Sequence, residues 1–111
     1  MVEFIVALII SALAVLVSAY IIPGVSVNSF LTALLVAVVL GVLNALVRPV
    51  LTALTLPINI LTLGLFSFVI TAVIVWIAAA VVPGFAVDGF LSAMLFGILT
   101  ALIVAVVDYI V

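Results

Sequence analysis

The sequence predicts an all-α integral membrane protein, with four membrane-crossing helices arranged as two tandem helical hairpins. Of its 111 residues, 74% are hydrophobic and 4% are charged, whereas a soluble domain carries roughly a quarter charged residues. Four apolar runs approach the length of about 20 residues that a helix needs to cross the hydrocarbon core of a bilayer. A segment that begins with Pro-Gly at position 23 also recurs at position 83. The expected solvent is therefore lipid, and the repeated segment divides the chain into two halves.

The four apolar runs are expected to form one transmembrane domain over residues 1–111. The predicted spans cover about residues 4–22, 30–47, 65–82 and 90–110, and an apolar connector covers residues 48–64. Helices are favoured over strands because each run is continuously apolar, without the alternation that a membrane β-barrel requires. The first run has Glu3 where a signal peptide would carry basic residues, so we expect a retained span.

Two similar turns join the spans of each predicted hairpin: PGVSVNSF at residues 23–30 and PGFAVDGF at residues 83–90. Proline cannot continue the incoming helix, and glycine tolerates the left-handed backbone that ends it. Asn28 and Asp88 are then placed to cap the next helix by accepting hydrogen bonds from its free N–H groups. For Asp88, a functional carboxylate in the turn stays open as a second interpretation.

The two hairpins are interpreted as an internal repeat, because one constant offset aligns Pro23 with Pro83 and Phe30 with Phe90. Each hairpin crosses the membrane twice, so both halves enter the bilayer from the same side. The predicted arrangement is a parallel repeat about an axis along the membrane normal. It differs from the inverted repeats of many secondary transporters.

Small residues recur at every fourth position of the second and fourth spans, in equivalent places of the repeat. They form two ridges: Ala33, Ala37, Gly41 and Ala45 in the second span, and Ala93, Gly97, Ala101 and Ala105 in the fourth. A four-residue step keeps such residues on one slowly drifting helix face, and small side chains let helix backbones approach closely in lipid. We therefore predict that the second and fourth spans pack along these ridges, either inside one subunit or between subunits.

Arg48 is the only basic side chain, and it lies at the end of the second span. Because basic residues stay preferentially in the cytoplasm, the connector and both termini are expected there. Asp108 holds the position equivalent to Arg48 in the second half. Two interpretations are open: Arg48 forms an ion pair with Asp108, or it extends to lipid phosphate. The connector, with Asn59 and three threonines as its polar points, is predicted to be a short amphipathic or shallow re-entrant element.

Catalytic chemistry is not predicted for this chain. It contains no histidine, no cysteine and no closely spaced pair of carboxylates, which excludes the usual zinc sites and nucleophile–base pairs. Glycine-rich phosphate loops and basic patches for nucleic acid are also absent from the sequence. We expect no enzyme activity, cofactor, metal or nucleic-acid partner. Asn44 is the most notable polar residue within a span. It either lines a pore or forms a hydrogen bond to a neighbouring helix, and the second role is the commoner one.

The central motif, NALVRPVLTALTLPINILTLGLF from Asn44 onward, resembles the four-transmembrane phage holin-like family, as do the two Pro-Gly turns. The resemblance covers nearly the whole chain. Its most specific parts are Asn-x-x-x-Arg-Pro and Leu-Thr-Leu-Pro-Ile-Asn-Ile-Leu-Thr-Leu-Gly. It implies a multi-pass protein of the bacterial inner membrane with four helices. The holin name further implies oligomers that permeabilise the membrane during lysis.

The expected function is that of a small holin-like membrane protein that forms homo-oligomers through its small-residue ridges. Two alternatives stay open: a structural or accessory subunit without lytic activity, and a small transport or channel protein. The sparse charge and the regular Val, Ala and Leu filling also suit a designed member of the family. The predicted partners are the lipid bilayer and further copies of the chain.

Overall fold

The computed structural model describes residues 1–62 and 64–110, which form five helices and two short strands. The helices are α1 (Val2–Ile21), α2 (Phe30–Leu54), α3 (Leu56–Leu61), α4 (Phe66–Val81) and α5 (Phe90–Ile110), and the strands are β1 (Val25–Val27) and β2 (Phe85–Val87). By length and composition, α1, α2 and α5 can each cross a membrane, and α4 is a shorter apolar helix of 16 residues. The predicted all-α architecture with four main helices is confirmed, and the two strands are an addition to it.

The four main helices form a ring in which each packs against two neighbours: α1 against α2 and α5, and α4 against the same two helices. Helices α1 and α4 end at the strands, and α2 and α5 begin there, so neighbouring helices are antiparallel. Helices α2 and α5 therefore lie diagonally across the ring and do not form a packed pair. The prediction that their ridges meet inside one chain is wrong, because α1 and α4 separate the two helices.

The core fills the half of the ring next to the strands. Each main helix contributes one of its largest fully buried side chains, which include Val15, Val36, Ile74 and Phe96. The last buried residue is Leu40 in α2 and Thr100 in α5. Beyond these positions both helices continue with half-buried or exposed side chains. We call the packed half of the ring the closed end and the other half the open end.

Strands β1 and β2 cover the closed end as an antiparallel pair. Their register pairs Val25 with Val87, Ser26 with Ala86 and Val27 with Phe85. The ladder continues on both sides, because the N–H of Asn28 donates to the carbonyl of Gly84 at 3.1 Å and the N–H of Asp88 donates to that of Gly24 at 2.7 Å. In both strands the first side chain is buried and the second is exposed. This alternation is typical of a strand, although neither strand was predicted from the sequence.

Gly24 and Gly84 allow the two turns to lie directly against each other. Their φ angles are +86° and +85°, in the left-handed region that favours glycine. A Cβ at Gly84 would lie 2.8 Å from the side-chain nitrogen of Asn28, and one at Gly24 would lie 2.9 Å from the Cβ of Asp88. Each glycine is thus covered by a side chain of the opposite turn. A larger residue at Gly84 requires the Asn28 side chain to move, and one at Gly24 requires the turns to move apart, because the Cβ of Asp88 is fixed to its backbone.

The predicted helix caps are one residue away from the observed ones. Ser29 is the N-cap of α2, and its hydroxyl accepts a hydrogen bond of 3.2 Å from an N–H of the first turn. Helix α5 begins directly after Gly89. The assignments of Asn28 and Asp88 as caps are therefore wrong. Both residues continue the strand ladder through their backbone N–H groups, which delays the start of each helix.

Helix α2 continues well past its predicted end at Val47 and includes both Arg48 and Pro49. Proline lacks an N–H and breaks helices in water. In lipid, however, every backbone polar group needs an internal partner, which favours continuing the helix. The first part of the predicted connector, residues 48–64, therefore belongs to α2, and the remainder contains α3. Leu63, inside that predicted connector, lies outside the described residues.

Hydroxyl and amide groups hold the rest of the connector together. The Thr55 hydroxyl donates to the carbonyl of Leu51 at 2.7 Å and accepts from the side-chain amide of Asn59 at 3.0 Å. The Thr62 hydroxyl accepts from the N–H of Phe66, the first residue of α4, at 3.2 Å. Asn59 is buried, and its side-chain amide is tied to the connector itself by this hydrogen bond. Entry of the connector into the bilayer stays a prediction.

Candidate functional site

The open end contains a cleft of about 820 Å³ between the four main helices. Small residues of α2 and α5 line it from opposite sides of the ring: Ala37, Gly41, Gly97, Ala101 and Ala105. Larger apolar side chains of α1 and α4, including Val15 and Phe68, complete its walls. The cleft exists because the diagonal helices carry small residues where larger side chains would fill the centre of the ring.

The glycines of the two ridges have different surroundings. At Gly41 a Cβ would meet no atom within 4 Å, so this position faces open space. At Gly97 a Cβ would overlap the Cγ2 atom of Thr71 and lie 3.2 Å from a Cγ2 atom of Val75. Gly97 therefore allows α5 to approach α4 closely, whereas Gly41 leaves space in the cleft.

Arg48 lines the cleft from α2 and joins this helix to α4. Its Nε donates to the side-chain oxygen of Asn44 at 2.9 Å, and its Nη2 donates to the hydroxyl of Thr71 at 2.7 Å. Asn44 donates in turn to the carbonyl of Leu40 at 2.9 Å, and Thr71 donates to that of Ser67 at 3.1 Å. Each partner is held by a carbonyl of its own helix, so the guanidinium is fixed against the cleft wall. Asn44 thus lines the cleft and bonds within its own helix rather than to a neighbour.

Arg48 lies far from the strand end of α2. With a rise of 1.5 Å per residue, it lies about 27 Å along α2 from the strand end, in a bilayer whose hydrocarbon core is about 30 Å thick. Asp108 lies equally far along α5, is exposed and lines the same cleft. The predicted ion pair between them is wrong within the described chain. The guanidinium bonds instead to its own helix and to the adjacent α4, whereas Asp108 is on the diagonal helix.

The inner end of the cleft has a hydrogen bond between two buried hydroxyls. Thr100 of α5 donates to Ser18 of α1 at 2.9 Å, and both residues are buried. Such a bond links helices in lipid, where no water competes for either hydroxyl. The sequence prediction does not include Ser18, Thr100 or Thr71. Their only signal is a hydroxyl within an apolar run, and each partner becomes evident only when the helices are placed side by side.

The predicted ridge residues are divided between the interior and the surface. Ala33 and Ala93 are fully buried at the closed end. Ala45, Ala101 and Ala105 are exposed at the open end. Within the chain, the ridges therefore pack only near the strands, and their outer ends remain uncovered.

The main chemical feature of the cleft is a single guanidinium beside apolar walls. Within residues 1–62 and 64–110, no three His, Cys, Asp or Glu side chains form a group that could hold a metal ion. Arg48 supplies a guanidinium, which stays charged and offers several N–H donors in a fixed plane. The walls beside it are mostly apolar. The arrangement can accept a ligand that combines an anionic group with hydrocarbon.

Four apolar helices packed in a ring, with a large exposed apolar surface, define a small multi-pass α-helical membrane protein. Residues 2–110 match the family described as mycobacterial 4 TMS phage holin, superfamily IV. The chain belongs to this family, and the resemblance found in its central motif is confirmed. Holins of this kind are typically non-enzymatic membrane proteins.

The chain is similar to the uncharacterized membrane protein YvlD of Bacillus subtilis, with 35% identity over 95 residues, which cover 85% of this chain and 80% of the relative. It is also similar to an uncharacterized protein of Streptomyces coelicolor, with 40% identity over 77 residues. These cover 66% of this chain and 62% of that protein, so the match leaves more than a third of the relative uncovered. No solved structure matches the chain. Both relatives are bacterial, and the first is described as a membrane protein.

Proposed function

We propose that the protein is a holin-like protein of the bacterial inner membrane that self-associates and permeabilises the membrane, without enzymatic activity. The observation that carries this proposal is the uncovered outer end of the two small-residue ridges. Ala45 and Ala105 are exposed there, on helices that do not pack against each other within the chain. Small residues allow close backbone approach in lipid, so a second copy can supply the surface that the chain itself lacks.

We assign Ala45, which is exposed and does not line the cleft, to the contact between copies. Ala33 and Ala93, at the other end of the same ridges, are already buried inside the chain. Association at the open end leaves the core and the strand pair unchanged. It also brings the polar side chains that line neighbouring clefts, among them Asn44, close to one another. A permeabilising assembly needs such a concentration of polar groups within the membrane.

The two hairpins are proposed to form a parallel internal repeat. The strand register supports this, because Ser26 at the centre of the ladder pairs with Ala86, its equivalent in the second half. The flanking hydrogen bonds donated by Asn28 and Asp88 are equivalent under the same offset. A local two-fold axis along the membrane normal relates two halves arranged in this way.

The open end is proposed to face the cytoplasm, because it holds Arg48, the only basic side chain. The chain contains no cysteine, so single-cysteine variants and a membrane-impermeant maleimide can test this orientation. Ser26→Cys, exposed in β1, should be labelled in intact spheroplasts. Tyr109→Cys, exposed near the end of α5, should be labelled only after the membrane is opened. The reverse pattern would contradict the proposed orientation.

Permeabilisation is tested by induced expression in a bacterium while membrane potential and entry of a normally excluded dye are recorded. We expect loss of potential followed by dye entry. Ala45→Leu, produced at the same membrane level, should delay both because the larger side chain blocks close approach of copies. Unchanged potential and growth at high membrane levels of the original chain would contradict lysis and support an accessory subunit.

Self-association is measured separately by crosslinking in native membranes. Ala45→Leu is expected to lower the fraction of crosslinked oligomers. Val50→Leu is the matched control, since Val50 is exposed on the same helix and is not a ridge residue. Equal crosslinking of both variants and the original chain would show that the ridge of α2 takes no part in the contact.

A further inference from the structure

We propose that the cleft binds a zwitterionic aminophospholipid, with the lipid phosphate at Arg48, the ammonium at Asp108 and one acyl chain against the small-residue walls. This site lies within a single chain and does not require self-association. Three features carry the inference: the charges that line the cleft, their depth along the helices, and the size and polarity of the space between them.

Arg48 is prepared to receive a phosphate. Its Nε and Nη2 atoms are hydrogen-bonded to Asn44 and Thr71, and within the described residues these bonds leave the donors of Nη1 for a ligand. A guanidinium that is already held in place loses little side-chain freedom when it binds an anion. Arginine also matches phosphate oxygens geometrically, because its N–H groups lie in one plane.

Asp108 determines which headgroup fits. It lines the cleft from α5, on the side of the ring diagonal to α2, and it lies at the same distance from the strand end as Arg48. A purely anionic headgroup would meet this carboxylate as a like charge. A headgroup with a phosphate and a primary amine presents opposite charges to both side chains, so charge complementarity favours an aminophospholipid.

The depth of the site agrees with a lipid whose tail points into the membrane. Arg48 lies about 27 Å along α2, which is close to the level of the headgroups on that side of a bilayer with a core of about 30 Å. From there the cleft extends toward the strands along Gly41 and Ala37. A lipid with its phosphate at Arg48 therefore has its acyl chain beside these small residues.

The cleft has room for hydrocarbon. Its volume of about 820 Å³ is within the range of about 300–1,000 Å³ that is usual for small-molecule sites. A Cβ at Gly41 would meet no atom within 4 Å, so a chain of methylene groups can lie against this helix. Thr100 and Ser18, which bond to each other, mark the inner limit.

Native mass spectrometry of the full chain in detergent tests the proposal, with phosphatidylethanolamine and phosphatidylglycerol of identical acyl chains as probes. Binding is measured on the monomer peak, so loss of self-association does not affect the result. We expect phosphatidylethanolamine to bind more tightly, and Asp108→Asn to remove this preference. Arg48→Gln should weaken both lipids by about tenfold, the loss expected for one hydrogen-bonded charge. Arg48→Lys, which keeps the charge, should retain part of the binding.

The acyl-chain position has its own pair of variants. Gly41→Leu fills the cleft and should weaken both lipids, whereas Ala45→Leu, one turn further along α2 and outside the cleft lining, should leave lipid binding unchanged. Equal binding of the two lipids, or no effect of Arg48→Gln, would overturn the proposal. Complete displacement by phosphoethanolamine alone would also overturn it, because the site would then bind only a headgroup. If Gly41→Leu changed the oligomeric state and not lipid binding, a second copy would be the occupant, which would equally overturn the lipid site.

Discussion

The closed and open ends of the bundle use small residues in opposite ways. At the closed end, Gly24 and Gly84 are in close contact with side chains of the opposite turn, and the strands connect the two hairpins. At the open end, Gly41 faces open space. A small residue therefore brings backbones together where it faces an adjacent element, as Gly97 faces α4. Where it faces the centre of the ring, as Gly41 does, the same residue type leaves a cleft.

The connections between the hairpins explain why the two ends differ. The ladder between β1 and β2 draws the turns of both hairpins together. At the open end, α3 joins α2 to α4, which are already neighbours in the ring. Across α2 and α5 the described residues provide no comparable link. The core consequently stops at Leu40 and Thr100, and the polar side chains gather beyond it.

Gly84→Ala is expected to have the largest effect, with a loss of about 2–5 kcal/mol in the free energy of unfolding. A left-handed backbone costs a residue with a Cβ about 1–2 kcal/mol, and the contact with Asn28 adds an overpacking cost of about 1–3 kcal/mol. Reversible unfolding in mixed detergent measures the loss. Gly64→Ala is the matched control, since its φ is +87° and its Cβ would meet nothing within 4 Å. Equal losses in both variants would show that contact between the turns adds nothing.

Gly97→Ala and Gly41→Ala compare the two ridges directly. The added methyl at Gly97 overlaps Thr71, so we expect a loss of about 1–3 kcal/mol in the same unfolding measurement. The methyl at Gly41 has space, and alanine is a better helix former by up to about 1 kcal/mol. Gly41→Ala should therefore be neutral or slightly stabilising. A destabilised Gly41→Ala variant would mean that α2 and α5 are too close together to leave an open cleft between them.

Thr100→Val removes the hydroxyl that donates to Ser18 while keeping nearly the same side-chain volume. Hydrogen bonds between membrane helices contribute about 0.6 kcal/mol on average and up to about 1.7 kcal/mol. We expect a loss in the upper part of this range, because both hydroxyls are buried. Ser18→Ala should give a similar loss, and the double variant should cost little more than either single change. Fully additive losses would contradict a shared hydrogen bond.

Of the two hydrogen-bond variants, Thr71→Val at the open end should have the smaller effect on stability, a loss of about 0.5 kcal/mol, the lower end of the usual range. Arg48 loses one partner but keeps its hydrogen bond to Asn44. The valine retains the methyl group that lies beside Gly97. A greater loss than that of Thr100→Val, in the same detergent, would reverse the proposed difference between the two ends.

The extent of correct prediction differs from element to element for physical reasons. The length of the apolar runs is enough to predict four main helices, because lipid requires backbone groups to be satisfied within each segment. The predicted end of α2 is wrong, since the proline rule that ends helices in water is relaxed in lipid. Asn28 and Asp88 have cap-forming side chains, but the strand pairing of each depends on the turn of the other hairpin, far away in sequence. No local pattern contains that partner.

The candidate site shows the same division. Arg48, Asn44 and Asp108 stand out because polar groups are rare in this chain, and all three line the cleft. The hydrogen bond from Arg48 to Thr71 could not be predicted, because it depends on which helix lies beside α2. The same uncertainty led to the incorrect pairing of Arg48 with Asp108.

Composition and periodicity by themselves determined that this is an integral membrane protein with four main helices. They also determined that two of these helices carry a row of small residues. These properties follow from local chemistry, since each helix forms its own backbone hydrogen bonds and its residue pattern defines its own faces. Only the tertiary structure decided that α2 and α5 are diagonal rather than adjacent, and therefore that their ridges line a cleft. The order of helices around a ring depends on contacts between distant parts of the chain, and several orders are compatible with the same set of apolar faces.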